Sequence, residues 1–508
     1  MKKSFYLIIL TVLSISLSSC FKDLGNYDYI DINEVIISDV GFSKPYDCRI
    51  KADRIKINPE LTFTQDPEEK GNYSYEWVAV GQNIQRGERF IIGTERNLDY
   101  LADLKEDKYI LYLKVKDLST DLVFSKGVEM NLRSNYSMGW LLGGEDNSGN
   151  GTLDMISISN NILCIHNTLV LEEGLKLSPV TIVWVDNDEW TSDGRLYVGT
   201  DDGTWKFDRV NFNGSPYTHL KYSFAISPDN QTCRMTDCMK IADKRHIIIV
   251  DDMAYNVSSS GGMIENSFSY WENDIEKRHF KIAPYMMYNR RMKDIRCFVF
   301  YNDIDKEFCF ISGLSITGMK RLGDKLEDTY SWKTTEDHEG GLSMIATVNS
   351  FFGNGQAIAI MESQSGERYI FCLTPDNTGS VNKEGKYKIS SEANDFDRAE
   401  HFIITTNHGY LIYSVDNRLY GLNFRKTPMD CVLLEEFDAP ITMIKADNDS
   451  EEKYDDNFYV ATYDDSRDRS GIMYKYHVVD SPNKIELTHE GKWDEGFLKI
   501  NTMCWKAF

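Results

Sequence analysis

No CxxC pair occurs in the 508-residue chain, and neither does an HExxH, GxSxG, Walker-type glycine loop or dinucleotide fingerprint. The usual motif-borne enzymes therefore lack their local signatures here. Beyond the N-terminus there is no apolar run of membrane length and no sustained helical periodicity, and proline is sparse, at 11 residues. Basic residues are also in short supply: 56 Lys and Arg stand against 79 Asp and Glu, a formal charge of −23. A surface of that sign repels phosphate backbones and anionic lipid heads, so nucleic acid is not expected as a partner.

What is present points to an all-β protein at the cell surface. Met1-Lys2-Lys3 and the apolar segment SFYLIILTVLSISL form a basic head and core of signal-peptide length. Leu17-Ser18-Ser19-Cys20 follows and resembles the bacterial lipobox. That resemblance implies cleavage before Cys20 and acylation of its thiol and amine. Three acyl chains hold a protein at a bilayer almost permanently, at about 0.8 kcal/mol per buried methylene. The polar residues after Cys20, with Asp23 and the acidic run from Asp28 to Glu34, read as a tether compatible with export to the outer face of the outer membrane.

Removing Cys20 from the count leaves nine cysteines, an odd number that forbids complete pairing within one mature chain. Most sit in apolar strand-like runs, such as Cys164 in ILCIH, Cys309 in EFCFIS and Cys372 in YIFCL, where a thiol packs as a small hydrophobe. For Cys233 and Cys238 a mutual bridge is the alternative.

From Glu34 to about Leu132 the runs VIISDV, IKINPELTF, YSYEWVAV, RFIIGT, YILYLKVKD and VFSKGVEMNL are separated by turn residues. Tyr109, Leu111, Leu113 and Val115 alternate with Ile110, Tyr112, Lys114 and Lys116, giving one apolar face. Six strands in about 100 residues suit an immunoglobulin-like β-sandwich with Trp77 as its core aromatic. The segments GNYDY (Gly25–Tyr29), YEW (Tyr75–Trp77), RNLDY (Arg96–Tyr100) and MGWLLGGEDNSGNGTLDMIS (Met138–Ser157) resemble the PKD-like lipoprotein family. The resemblance implies a PKD-type sandwich ahead of a larger β region, and association with SusC/SusD-type uptake systems. It implies no catalytic residue.

Strand-turn-strand segments recur about every 50 residues, near Trp140, Leu196, Ile247, Phe298, Ile358, Leu411 and Tyr459. Ile441 to Val479 shows the unit most plainly, as three short β-branched or aromatic runs closed by polar turns. Seven copies predict a seven-bladed β-propeller. The first copy lacks a leading strand and the final LKINTMCWKAF is a leading strand with nothing after it, so Asn501–Trp505 is expected to complete the first blade. The resulting organisation is signal peptide 1–19, lipidated tether 20–33, PKD/Ig-like sandwich 34–133 and propeller 134–508.

Candidate chemistry is thin. Thr200–Trp205 looks like a sialidase Asp-box but is one residue short, and a DDG hairpin turn explains it. The run from Asp447 to Asn457 is acidic enough for Ca²⁺ but lacks the loop glycine and flanking helices of an EF-hand, so no metal ligand is assigned. Arg290, Arg291, Lys293 and Arg296 read as surface. Aromatics remain as recognition candidates: of Trp184, Trp190, Trp205, Trp271 and Trp332, the last two are the least strand-like. Ligand-binding residues are expected to be Trp271, Trp332 and Trp205, with no catalytic residue and no cofactor. The functional expectation is a non-catalytic accessory lipoprotein that captures or presents glycan or peptide to a SusC/SusD-type transporter. The alternative is an extracellular propeller hydrolase or lyase whose catalytic groups come from separate blades.

Overall fold

The computed structural model describes residues 31–83, 85–158, 162–187, 195–241, 245–258, 262–312, 317–447 and 456–507. The lipobox with Cys20, Trp190 and most of the acidic run after Asp447 lie outside the described residues. Two compact units divide the chain. One comprises residues up to Asn131, and the other comprises Leu132–Phe508 with the short segments Asp47–Ala52 and Asp103–Asp107.

In the first unit the strand Tyr73–Gly81 runs antiparallel between Arg89–Gly93 and Asp107–Asp117. Two further ladders pair Val35–Ile37 with Leu61–Phe63 and Arg54–Ile57 with Leu98–Leu101. The alternation read from the sequence is the alternation of burial, since Tyr109, Leu111, Leu113 and Val115 are all buried. Trp77 is fully buried, its indole N–H donates to the Glu95 carbonyl at 3.0 Å, and Phe42 stacks at 6.0 Å. A buried indole N–H needs such a partner. The YEW motif thus supplies a core residue.

The second unit contains seven small antiparallel sheets among the described residues. Six follow one another along the chain, with leading strands Val180–Val185, Met235–Lys240, Cys297–Asn302, Leu342–Asn349, Phe402–Ile404 and Ile441–Ala446. The remaining sheet, counted here as the first, runs in the order Lys499–Lys506, Gly139–Glu145, Gly151–Ser157, Leu163–Ile165. Its leading strand is the chain's last, as expected for Asn501–Trp505, with Trp140 opposite Trp505 and Leu142 opposite Met503.

The central strands of these sheets are apolar on both faces, as in HIIIV and LIYSV, because each sheet is covered on both sides. The buried clusters show by what. Ile247 and Ile249 pack with Phe298 and Phe300 of the fourth sheet, while Ile248 and Val250 pack with Tyr197 of the second. The same two-sided sharing joins first to second, fourth to fifth, fifth to sixth and sixth to seventh. A last cluster sets Trp140, Leu142 and Trp505 of the first sheet against Met443, Tyr459 and Met473 of the seventh. The contacts are therefore cyclic.

The seam between the seventh and first sheets explains the GWLLGGEDNSGNGTLDMIS segment. A Cβ on Gly144 would lie 1.8 Å from the Lys499 carbonyl, so only glycine lets the terminal strand approach. The Asp146 carboxylate accepts from the Ser148 and Asn150 amides at 2.8 and 2.9 Å, holding a turn that presents Asn147. The Asn147 side-chain oxygen accepts from the Tyr463 hydroxyl at 2.5 Å and the Arg469 amide at 3.3 Å. Asp154 is buried and accepts from the Asn167 amide (2.9 Å), the Leu498 amide (3.0 Å) and Arg469 Nη2 (2.5 Å). One motif closes the circle.

Other leading segments are tied by side-chain to backbone bonds. Thr442 Oγ1 donates to the Ile500 carbonyl at 2.6 Å and Asn501 Nδ2 to the Val180 carbonyl at 3.3 Å. The fourth sheet has no extra strand before Cys297; Ile282 and Met287 instead make single bridges to Asn302 and Val299. The Asp237 carboxylate accepts the Met286 amide at 2.9 Å in that gap, and burial raises its pKa to about 6.

Beside the sixth sheet, burial holds the His401 imidazole at about 4. Its folded pKa is below the unfolded value, so the unfolded chain takes the proton first. The stability this contributes is present above about pH 6.5 and is lost as pH falls towards 4, a difference of about 3 kcal/mol at most. Asp237 acts in the opposite sense, because its charge is costly above about pH 6 and that cost is relieved in acid. His401→Gln is expected to flatten the loss of stability between pH 7 and pH 4.5 in urea unfolding; equal pH slopes in both proteins would show that His401 does not titrate in this way.

All nine described cysteines are free thiols, so the Cys233–Cys238 bridge is not formed. Cys233 and Cys238 are buried instead, and burial raises both thiol pKa values.

Candidate functional site

The three tryptophans expected to bind ligand have different fates. Trp332 is only 3% exposed and packs on Phe308 and Tyr330 in the core between the fourth and fifth sheets, with Lys383 capping its ring at 4.8 Å. Trp205 is 8% exposed and meets the edge of His219 at 4.9 Å. The expected exposure of Trp332 is corrected by packing, and Trp205, also named as a ligand-binding residue, is buried as well. Trp332 lies outside any strand, but Phe308 of the strand Glu307–Ser312 and the nearby Tyr330 enclose it, which local pattern does not reveal. The DDG turn near Trp205 is a two-residue hairpin loop, with Thr200 opposite Gly203. Trp184 lies within Val180–Val185 against His246 at 4.8 Å, so it belongs to a strand rather than a loop.

Trp271 is the one that reaches a surface cleft, of about 710 Å³. The backbone around it is a hairpin. Tyr270 bridges His279, the Phe280 amide donates to the Ser269 carbonyl at 2.9 Å, and Trp271 bridges Met319 beside the outer strand Lys320–Arg321. The loop between these ends is shaped by Asp274, whose carboxylate accepts the Glu276 amide at 3.1 Å and Arg278 Nε at 3.1 Å. Such internal bonds preform a loop before any ligand arrives.

Phe280 lies 4.7 Å from the Trp271 ring and Arg321 stands over it at 4.1 Å. Arg321 Nε also donates to both Glu307 oxygens at 3.3 Å. Glu307 is buried, which raises its carboxyl pKa, while the guanidinium pulls it back down. A planar cation held by a ring below and a carboxylate at one edge has little rotamer freedom left to lose. The cleft thus combines an apolar wall, a fixed guanidinium and the nearby carboxylate of Asp305.

Arg321, Glu307 and Phe280 were not read from the sequence. Arg321 is separated from Trp271 by 50 positions and meets it only because residues 270–272 lie alongside Met319. The basic cluster is partly structural: Arg291 Nε donates to the Phe351 carbonyl at 2.7 Å and Arg290 lies over the Phe351 ring at 5.5 Å. Among the described residues no group of three or more His, Cys, Asp or Glu side chains is placed to hold a metal ion.

Comparison with known proteins places this geometry in context. Residues 20–176 match the PKD-like family model, so the N-terminal part of the chain carries that family's signature. No curated protein matches the chain. Among solved structures, a quinonprotein alcohol dehydrogenase-like protein from Bacteroides thetaiotaomicron aligns over 93% of this chain and 99% of its own at 10% identity, with a TM-score of 0.39. An ancestral GH74 enzyme aligns over 70% of this chain and 46% of its own, at 10% identity and a TM-score of 0.41. PorZ, a surface component of the type-IX secretion system of Porphyromonas gingivalis, aligns over 76% and 44%, at 10% identity and 0.32. At these scores none bears on activity.

Proposed function

We propose that the protein is a lipid-anchored binding protein of the outer membrane, facing the cell exterior, that captures ligand for a SusC/SusD-type uptake system. In this reading residues 34–133 form a PKD-type sandwich and residues 134–508 a seven-bladed propeller, whose cleft at Trp271 receives the ligand. The observation that carries the proposal is that the PKD-like match begins at residue 20, the cysteine that the lipobox would leave at the mature N-terminus. The cyclic packing of seven sheets supports the propeller, and a preformed, open cleft suits capture. Purification of the tagged lipoprotein from native outer membranes in mild detergent is expected to bring transporter components with it, and radiolabelled palmitate is expected in the wild type but not in Cys20→Ala. Recovery without any transporter component, or an unlabelled wild type, would overturn the reading.

A further inference from the structure

We propose that the Trp271 cleft selects a carboxylated saccharide, with Arg321 as the receptor for the carboxylate. The inference rests on the capture reading above and names the ligand class. Its basis is which hydrogen-bonding groups in the cleft are already used. Asp274 is taken by Arg278 and the Glu276 amide, Glu276 lies 3.5 Å from Arg278 Nε, and Asp305 accepts from Asn302 Nδ2 at 3.0 Å. The carboxylates that line the cleft are each engaged.

Donors are not. Arg321 spends only its Nε on Glu307, and its side chain is 59% exposed, so the Nη1 and Nη2 edge faces solvent with no protein acceptor among the described residues. Two parallel N–H groups on a rigid plane match the two oxygens of a carboxylate. The free valence of the cleft therefore calls for an acidic ligand, although the chain as a whole carries −23.

The rest of the wall favours a sugar over a peptide. A bound peptide gains most from adding a strand to an open sheet edge. Here Trp271 is bridged to Met319, Tyr270 to His279 and Arg321 to Cys309, so those stretches already have main-chain partners. What remains is side-chain surface: the exposed part of Trp271, Phe280, and Ile275, which stands 98% exposed at the loop. The C–H face of a pyranose covers such a surface while its C6 carboxylate reaches the guanidinium edge.

The test uses the full-length lipoprotein in detergent and calorimetric titration with a tetragalacturonate, its carboxyl-reduced neutral counterpart and a glutamate-rich peptide. Binding of the uronate alone is expected, weakened at least tenfold in Arg321→Gln and weakened by salt. Because Arg321 also neutralises the buried Glu307, its variant is expected to melt below the wild type, and titration well below that transition, with a wild-type circular dichroism spectrum, separates lost recognition from lost fold. Equal binding of the neutral sugar, preference for the peptide, an unaffected Arg321→Gln, or no uronate binding would each overturn the assignment. Transporter co-purification does not depend on Arg321, so its persistence in the variant keeps this failure distinct from failure of the capture reading.

Discussion

A chain ending at Leu498 is expected to lose its cooperative thermal transition and to aggregate. The missing strand carries Ile500, Met503 and Trp505, all buried, and covers Trp140 and Leu142. Burying three such side chains contributes roughly 4.5–9 kcal/mol at about 1.5–3 kcal/mol each. That is comparable to the whole stability of a typical domain. The backbone consequence is as severe, because Gly139–Glu145 becomes an unpaired edge beside an apolar face. Trp505→Ala should be milder, at about 3–5 kcal/mol. Circular dichroism melting with size-exclusion chromatography checks both; a truncated chain that melts like the wild type would show that the cyclic contacts hold without their last strand.

Asp154→Ala is expected to be nearly as damaging although it removes only a few atoms. Its carboxylate sits in the seam between the first and seventh sheets and receives two backbone amides and Arg469. Deleting one partner of a buried charge pair costs about 3–5 kcal/mol, because the other is left without a counter-charge. Asp154→Asn keeps one acceptor oxygen and should fall between the alanine variant and the wild type. Urea unfolding with unchanged m-values measures the series. If alanine and asparagine cost the same, or neither costs more than about 1 kcal/mol, the carboxylate is not what holds the seam.

These two variants bear on what the sequence disclosed. The seven central strands are legible because each is apolar throughout, as in HIIIV and LIYSV, and polar turns end them. The return of the last strand to the first sheet is legible as well, from a leading strand with no successor. The outermost strands are not: Val381–Lys388 and Lys484–Phe497 are largely polar and exposed, so no periodicity announces them. The GGEDNSGNG motif was visible as a family resemblance, yet its role at the seam depends on Tyr463 and Arg469, more than 300 positions away. The cleft divides in the same way. Trp271 could be picked out as a tryptophan outside the strand pattern, but Trp332 fits that description equally and is buried. Arg321 and Glu307 enter only through strand pairing.

The terminal strand also sets a timetable. Gly139–Glu145 cannot acquire its partner until Lys499–Lys506 has been synthesised, so during most of elongation the nascent polypeptide presents an unfinished first sheet. Contacts between segments this remote in sequence form late and slowly, since a long loop must close before they repay its entropy. Completion of the second unit is thereby deferred until residues 499–506 have emerged, and any protease or chaperone that surveys growing chains has that whole interval in which to find it.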